Sequence, residues 1–172
     1  KVLQQARLLG LVSHVAHGIY VKPMQSRFGE VPPPLEKIAK EIAQRDRAEI
    51  MPTGSTAANI LGLSTQIPMV VSYLTTGSSR TIKIGKRAIK FRHAAPRNFA
   101  YEGTTIPLVV QALKDLETEN IGERELSALY QYLSNAQDKD TFLKDILLVP
   151  QWIQNLVKPI ITNIQNETLA TI

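Results

Sequence analysis

The sequence predicts an α+β fold, because segments with the two-residue period of strands and segments with the helical period occupy different parts of the chain. A short helix and a hairpin pattern lie within residues 1–27. One isolated helix and a strand-rich block follow, and the chain is helical from Thr105 onward. We expect a compact domain, in which an antiparallel β-meander is packed by helices, behind a small N-terminal unit.

The N-terminal unit is predicted from a helix that leads directly into a hairpin. The apolar residues of segment 2–10 fall near one helical face, and Gly10 follows them as a C-cap glycine would. His17 and Gly18 form a turn before the β-prone residues 19–21. A helix followed by a small hairpin is the second half of a winged helix-turn-helix, in which the helix enters the major groove of DNA and the hairpin contacts the backbone. The sequence therefore predicts a partial winged helix-turn-helix at residues 1–27.

A stiff, proline-rich linker is predicted at residues 22–34, and we place the second domain at residues 28–172. The first helix of that domain starts after Pro34. Its apolar residues recur at helical spacing and are expected to face the core: Leu35, Ile38, Ala39, Ile42 and Ala43.

The strand block is predicted to begin with a short strand at residues 48–51. Thr53 or Ser55 is then expected to cap a helix, before three strands at 68–74, 80–85 and 87–93. We expect these three strands to form two hairpins of an antiparallel meander. The alternation places Ile82, Ile84, Ile89 and Phe91 inward, with Lys83, Lys90 and Arg92 outward.

The last third of the chain is predicted to consist of amphipathic helices, with breaks near residues 120–122, 134–135 and Pro150. These helices carry net negative charge, which argues against contact with DNA. We expect them to pack over the sheet or to form a partner interface.

Positive charge is confined to two segments of a chain whose net charge is +5. The first 28 residues contain no acidic residue, and none occurs between Ile50 and Tyr101, where seven basic residues lie. From Glu102 onward ten acidic residues outnumber five basic ones. This distribution is typical of a protein that binds a polyanion.

Two groups of residues are candidates for that binding. Glutamine and arginine of the N-terminal helix are residue types that pair with adenine and guanine edges, and polar residues of the hairpin suit phosphate contacts. This first group is Gln4, Gln5, Arg7, Ser13, His14, His17 and Lys22. The second is the basic face of the predicted sheet, which suits DNA backbone, RNA or an acidic partner, or is simply solvated: Arg80, Lys83, Lys86, Arg87, Lys90, Arg92 and Arg97.

Catalytic, metal-binding and membrane-spanning functions are not expected. The chain has no cysteine, its three histidines are scattered, and the segment from Ile50 to Tyr101 offers no carboxylate for two-metal phosphoryl transfer. We therefore expect a cytoplasmic protein that is no enzyme and uses no cofactor. Because the chain opens on Lys1, we also expect that a preceding segment is missing.

Several strings resemble the AbiEi-type antitoxins of bacterial type IV toxin–antitoxin systems. They are HGIYVKP at 17–23, FGEVPPPLEKIAKEIAQRD at 28–46, PTGSTAANILGLSTQIP at 52–68 and YLTTGSSRTIKIGKRAIKFRHAAP at 73–96, followed by VVQALKDL at 109–116 and the terminal WIQNLVKPII. The resemblance covers almost the entire chain. In one departure, His17 stands where the family often has arginine, and in another the chain starts within or just before the recognition helix.

The resemblance implies an antitoxin that also binds its operator DNA and represses its own operon, with a winged helix-turn-helix followed by an α/β antitoxin domain. It implies a nucleotidyltransferase-like toxin as the cognate partner. The alternatives are a protein-interaction module that binds the toxin or another acidic partner directly, and an RNA-binding domain that opposes the toxin at its substrate.

Overall fold

The computed structural model describes residues 1–116 and 120–170; residue 172, the predicted end of the second domain, lies outside them. The secondary structure is mixed α and β, as predicted. The helices are α1 (Val2–Leu8), α2 (Leu35–Arg45), α3 (Gly54–Ile60), α4 (Thr105–Leu116), α5 (Glu123–Asn135), α6 (Phe142–Asp145) and α7 (Gln151–Ala170). The strands are β1 (Ser13–Ala16), β2 (Ile19–Val21), β3 (Met24–Ser26), β4 (Gly29–Val31), β5 (Ile50–Pro52), β6 (Val70–Thr75), β7 (Arg80–Ile84) and β8 (Arg87–His93).

The chain divides into two compact units, each built from two stretches of sequence. The first unit comprises Lys1–Ile50 and Met69–His93, and the second comprises Met51–Pro68 and Ala94–Ile172. These units do not coincide with the division expected between residues 27 and 28. The reason is that Ile19 and Val21 of β2 share a buried cluster with α2, so the hairpin and that helix belong to one core.

The main sheet of the first unit has the strand order β6-β8-β7, with β5 beside β6 at the other edge. Strands β6 and β8 are parallel, and β7 and β8 are antiparallel. The predicted meander is therefore wrong, because it would place β7 between the other two. Strand β8 takes the centre because its Ile89 and Phe91 are buried, whereas no residue of β7 is fully buried.

The loop after β6 also explains why β6 and β7 do not form a hairpin. The Thr76 N–H donates to the Glu49 carbonyl oxygen at 3.1 Å, and the Glu49 N–H donates to the Thr76 hydroxyl at 2.9 Å. These bonds hold the end of β6 beside residue 49, at one edge of β6. The opposite edge of β6 pairs with β8.

Helix α2 and the β1–β2 hairpin cover the apolar face of this sheet. The five apolar α2 residues predicted to face the core are all buried. All of them except Ala43 lie in a cluster with Val71 and Tyr73 of β6 and with Ile89 and Phe91 of β8. Burial also raises the pKa of Tyr73. The inner face of the sheet is therefore packed, and the exposed residues of its outer face are the ones that a partner can reach.

The predicted linker contains a second small hairpin that the sequence pattern did not indicate. Strands β3 and β4 pair antiparallel, with Ser26 opposite Gly29, and all their residues are exposed. The predicted extended linker is thus confined to the prolines before α2. Strands of only three residues are too short for an alternating pattern to stand out in the sequence, which is why the pattern failed here.

The second unit is helical and has its own core. Buried residues of α3 to α7, among them Leu113, Leu129, Phe142 and Ile153, form one cluster. The expected helix breaks are present, and α7 continues to Ala170, beyond the predicted segment. Thr53 occupies the N-cap position of α3, but neither it nor Ser55 caps the helix in the predicted way, because the Thr53 hydroxyl donates to the Gln111 side-chain oxygen at 2.7 Å.

Two aspartates hold the entry to α4 in the second unit. Asp145, only 1% exposed, accepts hydrogen bonds from the N–H groups of Glu102 and Gly103, each at 2.8 Å. Asp138 accepts from the N–H groups of Thr104 and Thr105. These bonds satisfy backbone donors that precede and open a helix.

Among the residues that the structure describes, no helix has both the length and the apolar character needed to cross a bilayer.

Candidate nucleic-acid interface

The outer face of the first unit's sheet carries three exposed basic side chains. Residues directly opposite each other in neighbouring strands point to the same face. Thr81 of β7 is opposite Lys90 of β8, and Lys83 is opposite Ala88. Arg92 follows Lys90 by two residues and shares its face. The alternation thus predicted the correct side for Lys83, Lys90 and Arg92, and we call these three residues the outer basic face. Within the described part of the chain they form no ion pair.

Arg80 and Arg87 do not belong to this face, contrary to the prediction that all the sheet's basic residues share it. Arg80 is opposite Phe91, and Arg87 is opposite Ile84, so both lie on the face that packs against the core. The Arg80 guanidinium carbon lies 5.7 Å from the centre of the Phe91 ring, a cation–π distance. Arg87 is half-buried, and its Nε has no hydrogen-bond partner among the described residues.

The remaining two members of the predicted cluster lie elsewhere. Lys86 follows Gly85 in the turn between β7 and β8, where Gly85 has the positive φ of 61° that glycine adopts readily. Arg97 lies in a short 3-10 helix of the second unit, Pro96–Phe99. The charge pattern of the sequence predicted one face with seven basic residues, but the strand register places three of them on the outer face of the sheet.

A groove of about 480 Å³ in the first unit is lined by members of both predicted groups of residues. It lies between the β1–β2 hairpin and strand β7. Four of its lining residues are basic or imidazole side chains: His17 at the hairpin turn, Arg45 at the end of α2, and Arg80 and Lys83 of β7. Ala16, Ile19, Thr81 and Ile82 complete the lining. We call this the basic groove; its size and charge suit a phosphate group or a carboxylate.

Asp46 sets the charge of the basic groove. The Arg45 Nε donates to one of its carboxylate oxygens at 2.9 Å, and an Arg80 Nη donates to the other. The hydrogen bond from Arg45, assisted by that from Arg80, holds the pKa of Asp46 below its usual range. One carboxylate therefore orients two guanidinium groups, which leaves net positive charge on the trio. Both ion pairs are exposed, so their contribution to stability is small.

Sequence reasoning missed Arg45 and Asp46 as functional candidates. Their neighbourhood at the end of α2 contains both acidic and basic residues and gave no signal. Arg80 is 34 residues further along the chain. Only the packing of α2 against the sheet brings the three side chains together.

The N-terminal candidates lie on α1 and the first hairpin, as predicted. Gln4, Gln5 and Arg7 are exposed on α1, which has no buried residue. Ser13 and His14 are on β1, and Lys22 follows β2. His14 is opposite Tyr20, and their ring centroids are 5.1 Å apart. The structure therefore brings only His17 of this group to the basic groove.

The chemistry available at these surfaces is electrostatic. Lysine and arginine donate charge-assisted hydrogen bonds to phosphate oxygens, and a flat sheet face that carries them can follow a phosphate backbone. Within residues 1–116 and 120–170, no group of three or more histidine, aspartate or glutamate side chains is placed to hold a metal ion.

No curated protein and no solved structure is significantly similar to this chain. Residues 1–141 match the model of DUF6088, a family of unknown function. The match includes the whole first unit and continues beyond α5. Because it covers well over half of the sequence, the chain belongs to the DUF6088 family of unknown function.

Proposed function

We propose that this chain is a DNA-binding regulator whose first unit contacts the duplex through the outer basic face and the basic groove. The observation that carries the proposal is the separation of charge. The first unit has 14 lysine and arginine residues against 5 acidic residues, whereas the second has 6 against 10. Binding to DNA releases condensed counterions when such cations neutralise phosphates. The first unit is therefore the part of the chain suited to a polyanion.

The resemblance to AbiEi-type antitoxins supports a more specific proposal. In it, α1 is the recognition helix of a winged helix-turn-helix and the β1–β2 hairpin is the wing. Gln4, Gln5 and Arg7 then contact base edges, while Ser13, His14, His17 and Lys22 contact the backbone. The chain represses its own operon and neutralises a nucleotidyltransferase-like toxin encoded with it.

A salt titration of DNA binding tests the DNA proposal. The full chain is titrated onto a duplex from upstream of its own gene and onto a scrambled duplex, at 50 to 200 mM salt. The logarithm of the binding constant changes by about −0.9 per phosphate contact for each tenfold increase in salt, so five contacts give a slope near −4.5. We expect such a slope, with tighter binding to the upstream duplex. Equal, weak binding to both duplexes would contradict sequence-specific regulation.

A protein-interaction role is the second candidate, and an exposed apolar patch in the second unit favours it. Leu143, Leu147 and Leu148 lie within one short stretch, and each exposes more than half of its surface. Contiguous exposed apolar residues are typical of protein interfaces. In this alternative the chain binds the toxin or another protein directly, through this patch or through the basic residues of the sheet.

The two candidates separate according to where substitutions act. Co-expression with the toxin measures protection, and the titration above measures operator binding. If reversal of Lys83, Lys90 and Arg80 abolishes protection but leaves operator binding intact, the interaction role is favoured. Leu147→Asp is expected to reduce protection alone, and Leu169→Asp, also at an exposed leucine, is the matched control. Replacing the duplex by RNA in the titration tests the RNA-binding alternative.

A further inference from the structure

The tip of the β3–β4 hairpin presents a phenylalanine entirely to solvent. Phe28 is 100% exposed, and it lies in the two-residue turn between the strands. A phenylalanine side chain contributes most to folding or binding when its ring is covered. Phe28 contributes no burial to either core, so its ring is available for a partner.

Hydrogen bonds within the hairpin fix the turn that carries Phe28. The Ser26 hydroxyl donates to the Gly29 carbonyl oxygen at 2.8 Å, and the Phe28 N–H donates to that hydroxyl at 3.2 Å. Gly29 has a φ of 109°, which side-chain-bearing residues rarely adopt. Behind the turn, the Gln25 amide donates to Glu30 at 3.2 Å. The exposure of Phe28 therefore follows from a closed turn.

The electrostatic surroundings of the tip favour a nucleic acid as the partner. Arg27 directly precedes Phe28 and is exposed, and no acidic residue occurs before Glu30. An arginine beside an aromatic ring offers one group for a phosphate and one for the face of a base. Met24 and Val31 lie opposite each other on the strands and are 44% and 42% exposed, so a protein partner would be expected to cover them together with Phe28.

We propose that the β3–β4 hairpin is a further DNA-contacting element, whose tip enters the minor groove of the duplex. Arg27 contacts the phosphate backbone, and Phe28 inserts as a wedge against a base step, which it partly unstacks. Apolar wedges of this kind kink DNA in minor-groove-binding proteins. This inference rests on the proposed DNA-binding function and adds to it a site that bends or opens the duplex.

The experiment uses the full chain and the upstream duplex, labelled with the fluorescent base analogue 2-aminopurine at successive positions. Its fluorescence rises when the base unstacks. We expect a rise at one position with the unaltered chain, loss of that rise with Phe28→Ala, and a loss of affinity of about tenfold, in line with the energy of stacking a base on an aromatic ring. Phe28→Trp is expected to retain both. Because Phe28 is fully exposed, these changes leave the cores untouched.

Arg27→Ala and Met24→Ala serve as comparisons. Arg27→Ala is expected to reduce the magnitude of the salt slope by about one, as loss of one phosphate contact does, while Phe28→Ala leaves the slope unchanged. Met24→Ala is expected to bind as the unaltered chain does. An equal loss from Met24→Ala and Phe28→Ala would overturn the wedge in favour of a broad apolar contact.

The failure of this inference is distinguishable from the failure of the proposed function. If the unaltered chain binds the duplex steeply with salt but Phe28→Ala changes neither affinity nor fluorescence, the hairpin proposal is overturned and DNA binding stands. If the unaltered chain binds no duplex at all, the proposed function fails and the hairpin proposal fails with it.

Discussion

The two units of this chain use their charged residues in opposite ways. The first unit has a net charge of +9, and many of its basic side chains are exposed without an acidic partner among the described residues. The second has a net charge of −4, and its buried Asp145 carboxylate accepts hydrogen bonds from backbone N–H groups of the same unit. Charge that is not needed for folding is available for binding. This difference supports our proposal that the first unit is the one that binds a polyanion.

Aspartate illustrates the same difference at the level of single residues. In the second unit, Asp138 and Asp145 accept hydrogen bonds from backbone N–H groups before and at the start of α4. In the first unit, Asp46 lies at the surface and orients two arginines of the basic groove. A substitution of aspartate is thus expected to alter stability in one unit and binding in the other.

The largest expected effect is on the core of the second unit. Leu129 is fully buried, and Leu129→Ala removes packing and leaves a cavity, so it should lower the free energy of unfolding by about 2–5 kcal/mol. Urea denaturation measures this change. Leu169→Ala, at an exposed leucine, should change it by no more than about 0.5 kcal/mol. Comparable effects from both substitutions would show that α5 is not packed as described.

A smaller loss is expected at Gly103. A Cβ at this position would lie too close to the Thr141 hydroxyl and to a carboxylate oxygen of Asp138. Gly103→Ala should therefore cost about 1–3 kcal/mol of stability, as overpacking does. At Gly122, among the residues that the structure describes, a Cβ would meet only the Glu125 carboxylate, at 3.4 Å, so Gly122→Ala is the control. Thermal unfolding compares the two, and an unaffected Gly103→Ala would contradict the geometry around α4.

The pH dependence of stability should depend on Asp138. Burial opposes its ionisation, but hydrogen bonds from Thr105 and from the Thr104 N–H outweigh that effect and hold the pKa of Asp138 below its usual range. Its stabilising contribution is therefore present above the unfolded pKa of about 3.9 and is lost as pH falls through the folded pKa. Denaturation at pH 7 and pH 3 should show a smaller difference for Asp138→Asn. An unchanged pH dependence would refute this role.

The smallest effect is expected at Arg97. It was grouped with the basic sheet residues by sequence, but it lies in the second unit. Arg97→Glu should change the affinity for the upstream duplex by no more than about twofold, because Arg97 is not part of the unit to which we assign DNA binding. The titration described above measures it. A loss as large as that from Lys90→Glu would mean that the second unit also contacts DNA.

The parts of the fold with regular periodicity were predictable from the sequence. Helix α2 and its buried face followed from the helical spacing of five apolar residues, and the outward direction of Lys83, Lys90 and Arg92 followed from strand alternation. The strand order could not be predicted. It depends on β8 lying between β6 and β7, where its Ile89 and Phe91 are buried. The ion pair of Arg80 with Asp46 likewise depends on packing between distant segments.

The central claim is that the first unit carries the DNA-binding charge, and two triple variants test it most directly. One reverses the outer basic face, Lys83→Glu, Lys90→Glu and Arg92→Glu. The other reverses three exposed bases of the second unit, Lys114→Glu, Arg124→Glu and Lys158→Glu, so the net charge changes equally. We predict that the first variant loses about three units of salt slope and most of its affinity, while the second keeps the slope of the unaltered chain. Equal losses in both variants would contradict this claim.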